Sequence, residues 1–308
     1  VSPIGASAPL RGIAISGGTT AGATNALDFD GDRRADYSVF RDMGNTWFIN
    51  RSTNNSFTGT SFGTISTDFL TPGDYDGDGR ADIAVWRETN GTFFSLRSSD
   101  NVFVGFQFGQ RGDQPVPRDY DGDGRTDYAV VRNTGTNLTW FVFNSATNSV
   151  RQENFGLSTD NLAPGDYDGD GRSDLGVQRA GSGQQQATFF FLQSTNGFRA
   201  VQFGLGSDIV VPGDYDGDGI SDIGLLREGS QNNWFILLSS SGGFRNVQLG
   251  TSDHFSAQAD YDGDGSTDVA VWVPETGNFF VIRSANGGLL TFQFGQRGDI
   301  PVANFNSY

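Results

Sequence analysis

A chain of 308 residues with no Cys, no Lys and a single His (His254) excludes disulfides and thiol chemistry, and it removes most of the usual general bases and nucleophiles. The net charge of −16 with no basic stripe argues against nucleic acid, and no run of 18 apolar residues offers a span across a membrane. Of 36 acidic residues, 24 fall in six short loops, so the charge is largely a count of candidate metal ligands; six divalent ions, twelve positive charges, would bring it to −4.

Residues 1–23 make a start rich in Gly, Ser, Ala and Pro that lacks the basic end and apolar middle of a signal peptide, which reads as the beginning of a mature chain. Within it, Arg11–Gly17 stands in the register of an outer strand, because Gly17 precedes Asp28 by eleven residues, as Gly63 precedes Asp74. That segment is expected to pair either with the chain's own end, latching a ring, or with a neighbouring copy, building a filament head to tail.

The first acidic loop follows, with carboxylates at Asp28, Asp30, Asp32 and Asp36. It returns as Asp74, Asp76, Asp78 and Asp82, then as Asp119, Asp121, Asp123 and Asp127. The remaining copies are Asp166, Asp168, Asp170 and Asp174, then Asp214, Asp216, Asp218 and Asp222, and last Asp260, Asp262, Asp264 and Asp268. Their starts are 46, 45, 47, 48 and 46 residues apart, which makes this one repeat array over residues 24–298 rather than two ordinary domains. Five copies read Asp-Tyr-Asp-Gly-Asp-Gly-x-x-Asp. Four carboxylates on nine residues repel one another, and a hard cation that takes six to eight oxygens relieves the repulsion. The Asp-x-Asp-x-Asp-Gly start matches the first half of an EF-hand loop, so the predicted ion is calcium, up to six per chain and structural in role.

In that geometry position seven contributes a backbone carbonyl, here from Arg34, Arg80, Arg125, Arg172, Ile220 and Ser266. Position six needs a positive φ, which Gly79, Gly124, Gly171, Gly219 and Gly265 supply. The first loop has Arg33 there, and it is expected to be the weakest site.

After each loop comes a short apolar run such as Ile83-Ala84-Val85-Trp86, read as a strand buried on both faces. A turn rich in Asn and Gly leads to a second run (Phe93-Phe94, Trp140-Phe141-Val142), a third closes on Phe-Gly, and a short stretch such as Gln114-Pro115 enters the next loop. Four antiparallel strands per 46 residues predict an all-β fold, a β-propeller of six complete blades, with helix nearly absent. A β-sandwich is the alternative. Residues 299–308 read as a closing or exchanged strand, the entry to a partial seventh blade made by the chain ends.

The acidic loops together with the Phe-Gly ahead of them resemble the FG-GAP or VCBS-type repeats, including the propeller heads of integrin α subunits, over residues 24–308. The resemblance implies calcium loops in a hairpin on one face of each blade, and extracellular adhesion or scaffold roles more often than chemistry.

Three further patterns recur. An acid stands six or seven residues before each loop (Asp68, Asp113, Asp160, Asp208, Asp253) and again at Asp299, expected to cap backbone N–H groups. Two copies spell Arg111-Gly112-Asp113 and Arg297-Gly298-Asp299, an adhesive tripeptide in other settings, read here as a turn. Arg41, Arg87, Arg132, Arg179 and Arg227 end the strand after the loop. One position earlier in that strand, where Phe40, Val131, Gln178 and Leu226 stand in other copies, Trp86 and Trp272 are expected to pack in the core, with sugar stacking on a rim as the alternative.

The function expected is that of a non-enzymatic, calcium-stabilised structural or adhesive protein. Its partner is a copy of itself or a cell-surface or matrix ligand such as a glycan. The site is extracellular or at the cell surface, because modest calcium loops fill where calcium is near millimolar. A lectin with sites between blades is the alternative, and a calcium-dependent polysaccharide-cleaving enzyme a third reading.

Overall fold

The computed structural model describes residues 27–64, 66–182 and 185–303. Among them are six four-stranded antiparallel sheets and no α-helix. The sheets are the blades of a six-bladed propeller. In the second blade the strands are Asp68–Leu70, Ile83–Arg87, Thr92–Leu96 and Phe103–Gln107, hydrogen-bonded in that order. The acidic loop therefore lies between the short first strand and the second. Strand Ile83–Arg87 is buried at its three central residues, as a continuous apolar run between two neighbours should be. Strand Phe103–Gln107 alternates exposed and half-buried residues, which marks it as the outer edge. The turn from Ile83–Arg87 to Thr92–Leu96 relies on Gly91 at φ +65, where a Cβ would run into the Gly109 carbonyl.

The ring closes on the C-terminal strand. Asp299–Pro301 pairs antiparallel with Tyr37–Arg41, setting Pro301 opposite Val39 and Asp299 opposite Arg41. It gives the first blade the short strand that each other blade takes from just ahead of its own loop. The expected partial seventh blade is thus corrected: residues 299–301 complete the first. Counted from loop to loop, each unit carries the short strand of the following blade, so the surplus strand of the sixth unit has only the first blade to join. Val302 and Ala303 continue it into the core. The strand expected at Arg11–Gly17 lies outside the described residues.

All five Trp side chains are fully buried. Each donates its indole N–H to a carbonyl near the Phe-Gly turn, Trp47 to Phe62, Trp86 to Phe108, Trp140 to Phe155, Trp234 to Leu249 and Trp272 to Phe294, at 2.9–3.1 Å. They come from two facing strand positions: Trp86 stands opposite Phe93, whereas Trp47 stands opposite Phe40 and Trp140 opposite Val131. In five blades one indole, from either strand, fills the same layer. The fourth blade uses Gln178 opposite Phe189, and the Gln178 amide donates to the Leu205 carbonyl at 3.1 Å. Trp86 and Trp272 present no ring to a sugar.

Five blades carry a bidentate ion pair between first and second strands: Arg41–Asp299, Arg87–Asp68, Arg132–Asp113, Arg179–Asp160 and Arg227–Asp208, at 2.7–2.9 Å. Each guanidinium also lies over a third-strand ring, Phe48, Phe94, Phe141, Phe190 or Phe235, at 4.2–4.7 Å. The same carboxylates cap a backbone N–H, as Asp68 does for Thr64 and Asp113 for Gln110. Both Asp113 and Asp299 are buried in these pairs, so neither Arg-Gly-Asp copy offers its acid to a ligand. In the sixth blade Asp253 is exposed and is not the counterpart. His254 takes that place, its Nδ1 accepting the Thr251 N–H at 3.3 Å, and Val273 stands where the other blades have Arg. Both partners of the ion pair have changed together.

Candidate metal centres

The first carboxylate of each loop is the pivot on which the loop folds. Asp74 accepts the N–H of Gly77 at 2.6 Å and of Gly79 at 2.9 Å. Asp119, Asp166, Asp214 and Asp260 make the same two contacts with their own glycines. Position six sits at φ +84 to +89 in the five Gly-containing loops. Arg33 adopts φ +72 and still donates to Asp28 at 2.7 Å, so the first loop keeps the shape with a side chain in the left-handed region.

The carboxylate at position nine is clamped from two sides. Asp82 accepts the Tyr75 N–H at 3.0 Å and, from the turn joining third and fourth strands, the Ser98 N–H at 2.7 Å. Ser52, Ser145, Ser194, Ser239 and Ser284 do the same for Asp36, Asp127, Asp174, Asp222 and Asp268 at 2.6–2.7 Å. Hydroxyls from this turn also reach the loop, Ser99 to Asp76 and Ser240 to Asp216, both at 2.5 Å. Sequence reasoning missed this second wall of the site. Its signal was present: a Ser follows each ninth-position Asp by 16 to 20 residues.

Between these walls the acids converge. One carboxylate oxygen from each of Asp28, Asp30 and Asp32 lies within 4.8 Å of the other two; so do those of Asp74, Asp76 and Asp78, of Asp166, Asp168 and Asp170, and of Asp214, Asp216 and Asp218. In the third loop the group is Asp119, Asp121 and Asp127. The Oδ1 atoms of Asp30, Asp168 and Asp216 are buried without a hydrogen-bond partner. A carboxylate oxygen shielded from water beside two more acids is costly unless a cation or a proton compensates it. Burial pushes Asp36, Asp82, Asp127, Asp174 and Asp222 up to about 7 and Asp268 to about 6. These clusters could hold a metal ion. The oxygen-only donor set and the orphaned Oδ1 atoms fit a hard one. Position seven points its N–H at the carboxylate of position five, as Arg80 does to Asp78 and Ile220 to Asp218, each at 2.9 Å.

The loops also join one another. The eighth-position N–H donates to the first-position carbonyl of the preceding loop: Ala81 to Asp28 at 2.6 Å, Thr126 to Asp74 at 2.6 Å, Ser173 to Asp119 at 2.7 Å, Ser221 to Asp166 at 2.6 Å and Thr267 to Asp214 at 2.5 Å. Ala35 to Asp260 at 2.7 Å completes the circle. Position seven lies over the fourth-position Gly of the preceding loop, where a Cβ on Gly77 would stand 2.6 Å from Nε of Arg125 and one on Gly263 2.7 Å from Nε of Arg34. Gly77 and Gly263 also stand at φ +79 and +78, where a side chain would be strained as well as pressed against the arginine.

A separate cleft of about 340 Å³ opens between the first and second blades, lined by Ser61, Phe62, Arg87, Phe94 and Phe103. Phe103 stacks on Phe94 and lies 6.1 Å from Phe62.

The FG-GAP-like repeat family matches residues 28–85 and 119–177. No curated protein matches the chain in sequence. Solved structures of similar shape include Citrobacter koseri AztD (12% identity over 86% of this chain and 87% of that one, TM-score 0.44). Others are a putative 6-phosphogluconolactonase from Bacteroides fragilis (11%, 89% and 97%, TM-score 0.43) and an oligogalacturonate lyase in complex with manganese (11%, 80% and 70%, TM-score 0.45). At that distance they carry no argument about function. The chain is a six-bladed propeller in which residues 28–85 and 119–177 are similar to FG-GAP-like repeats.

Proposed function

We propose that this protein is a non-enzymatic, calcium-stiffened extracellular propeller that serves as a structural or adhesive surface unit and assembles with copies of itself. The observation that carries the reading is the repeated convergence of carboxylates against a serine wall, with unpaired buried Oδ1 atoms at Asp30, Asp168 and Asp216. Carboxylates at positions one, three, five and nine, with the position-seven carbonyls of Arg34, Arg80, Arg125, Arg172, Ile220 and Ser266, would surround a calcium ion. The ion supplies charge compensation that the loops lack on their own. FG-GAP repeats are typical of extracellular proteins, where calcium is plentiful enough to fill such sites. Metal analysis of the purified protein by mass spectrometry tests the ion; sedimentation with and without residues 1–20 tests assembly. Several calcium ions per chain and loss of high-mass species on deletion support the proposal, and an unaltered chain that is metal-free and monomeric in millimolar calcium contradicts it.

A second reading, a carbohydrate-binding protein, is favoured by the aromatic cleft between the first two blades. A glycan array separates the two: binding that Phe103→Ala abolishes would support the second.

A further inference from the structure

We infer that the six loops load their cations cooperatively, because the metal ligands of neighbouring loops are fixed to one another around a closed circle. This inference rests on the calcium reading above and adds a coupling between sites. The link runs through one residue at each junction. Asp119 offers its carboxylate to its own cluster and its carbonyl to the N–H of Ser173, which stands directly before the ninth-position acid Asp174 of the next loop and directly after Arg172, whose carbonyl is the ligand expected at position seven. A shift of Asp119 on binding therefore moves the peptide between two ligands of the following site.

The second strap is steric. A Cβ on Gly122 would lie 3.1 Å from Cγ of Arg172, and one on Gly169 would lie 2.9 Å from Cγ1 of Ile220, so position seven of each loop rests on the backbone of the loop before it. A third contact sets Thr126 on Gly73 and Thr267 on Gly213 in the same direction. Each loop is thus held at position one by the loop after it and at positions seven and eight by the loop before it. The bond from Ala35 to Asp260 leaves no end loop. Without a cation, mutual repulsion of the acids works against the geometry that both neighbours need. Filling one site orders its acids, and the adjacent site then forms with less ordering cost, which is positive coupling through shared structure.

Calorimetric calcium titration of the full chain, after chelation and at neutral pH, reads this directly, with circular dichroism to confirm that the fold persists. The expected result is a Hill coefficient above 1. A variant that removes two ligands of the fourth loop, Asp168→Asn with Asp170→Asn, should lose one ion and also weaken the remaining sites roughly fivefold or more, the low end of typical coupling. Six independent sites, seen as a Hill coefficient of 1 in the unaltered chain and unchanged affinity at the remaining sites of the variant, overturn the coupling while leaving the calcium reading intact. An unaltered chain that takes up no calcium overturns both.

Discussion

Arg41 grips Asp299 through Nε and Nη2 at 2.7 and 2.9 Å, joining residues 258 positions apart and holding shut the one blade that is built from both ends of the chain. The carboxylate is buried and the guanidinium only partly exposed, so removing the acid leaves a charge without its partner. Asp299→Ala should cost roughly 2–4 kcal/mol of stability. The same change at Asp68, inside a blade whose strands are contiguous in sequence, should cost a similar equilibrium amount. It should speed unfolding less, because the first and second strands of the first blade lie 258 residues apart and no short connection holds them together once the ion pair is lost. Denaturant unfolding rates of the two variants check this.

Arg33 carries the left-handed conformation that glycine supplies in the other five loops. Arg33→Gly removes a strain worth about 1 kcal/mol and a positive charge beside the first cluster. Thermal stability in limiting calcium should rise and the first site should tighten. The reciprocal change, Gly79→Arg in the second loop, should lower both, measured by calorimetry on the same preparations.

The buried ninth-position acids give the metal-free protein a pH dependence of unusual sign. In the unfolded chain an Asp loses its proton near 3.8, whereas in the fold Asp82 and Asp127 hold theirs up to about 7 because burial disfavours the charge. Between those values the folded state binds more protons, so stability falls as pH rises from about 4 and levels off above about 7. In chelator the protein should melt higher at pH 5 than at pH 8. With calcium present the ionised form is held, and that order should reverse. Melting curves at the two pH values, with and without the ion, give the comparison.

Trp140 is fully buried, and its N–H reaches the Phe155 carbonyl at 2.9 Å. Trp140→Ala should cost about 3–5 kcal/mol, as large-to-small changes in a packed core do. Trp140→Phe keeps most of the volume but orphans that carbonyl, and should cost less. Equilibrium unfolding separates the two terms.

The fold was legible because its signals repeat: the spacing of the acidic loops and the strand pattern after each imposed four strands per blade. The loop acids were legible for the same reason. What the sequence could not display was contact between repeats. Residues 299–308 were read as a closing or exchanged strand, but Asp299–Pro301 was placed at the entry of a seventh blade rather than in the first, because a linear count of units does not say where a circle is cut. The pairing of Arg41 with Asp299 joins residues whose separation carries no local signal. Ser98 and its five equivalents escaped notice because a single Ser in a turn is common, and only its distance from Asp82, repeated six times, distinguishes it. His254 and Val273 show the converse, since two changes that look unrelated in sequence replace one ion pair.

Thermal unfolding at neutral pH, in millimolar calcium and then in excess chelator, tests the central claim most directly. Each ion contributes about 2.7 kcal/mol when calcium stands a hundredfold above its Kd, so several sites together should raise the melting temperature by on the order of 10 °C or more relative to chelator. A melting temperature that is the same in both buffers would contradict the account.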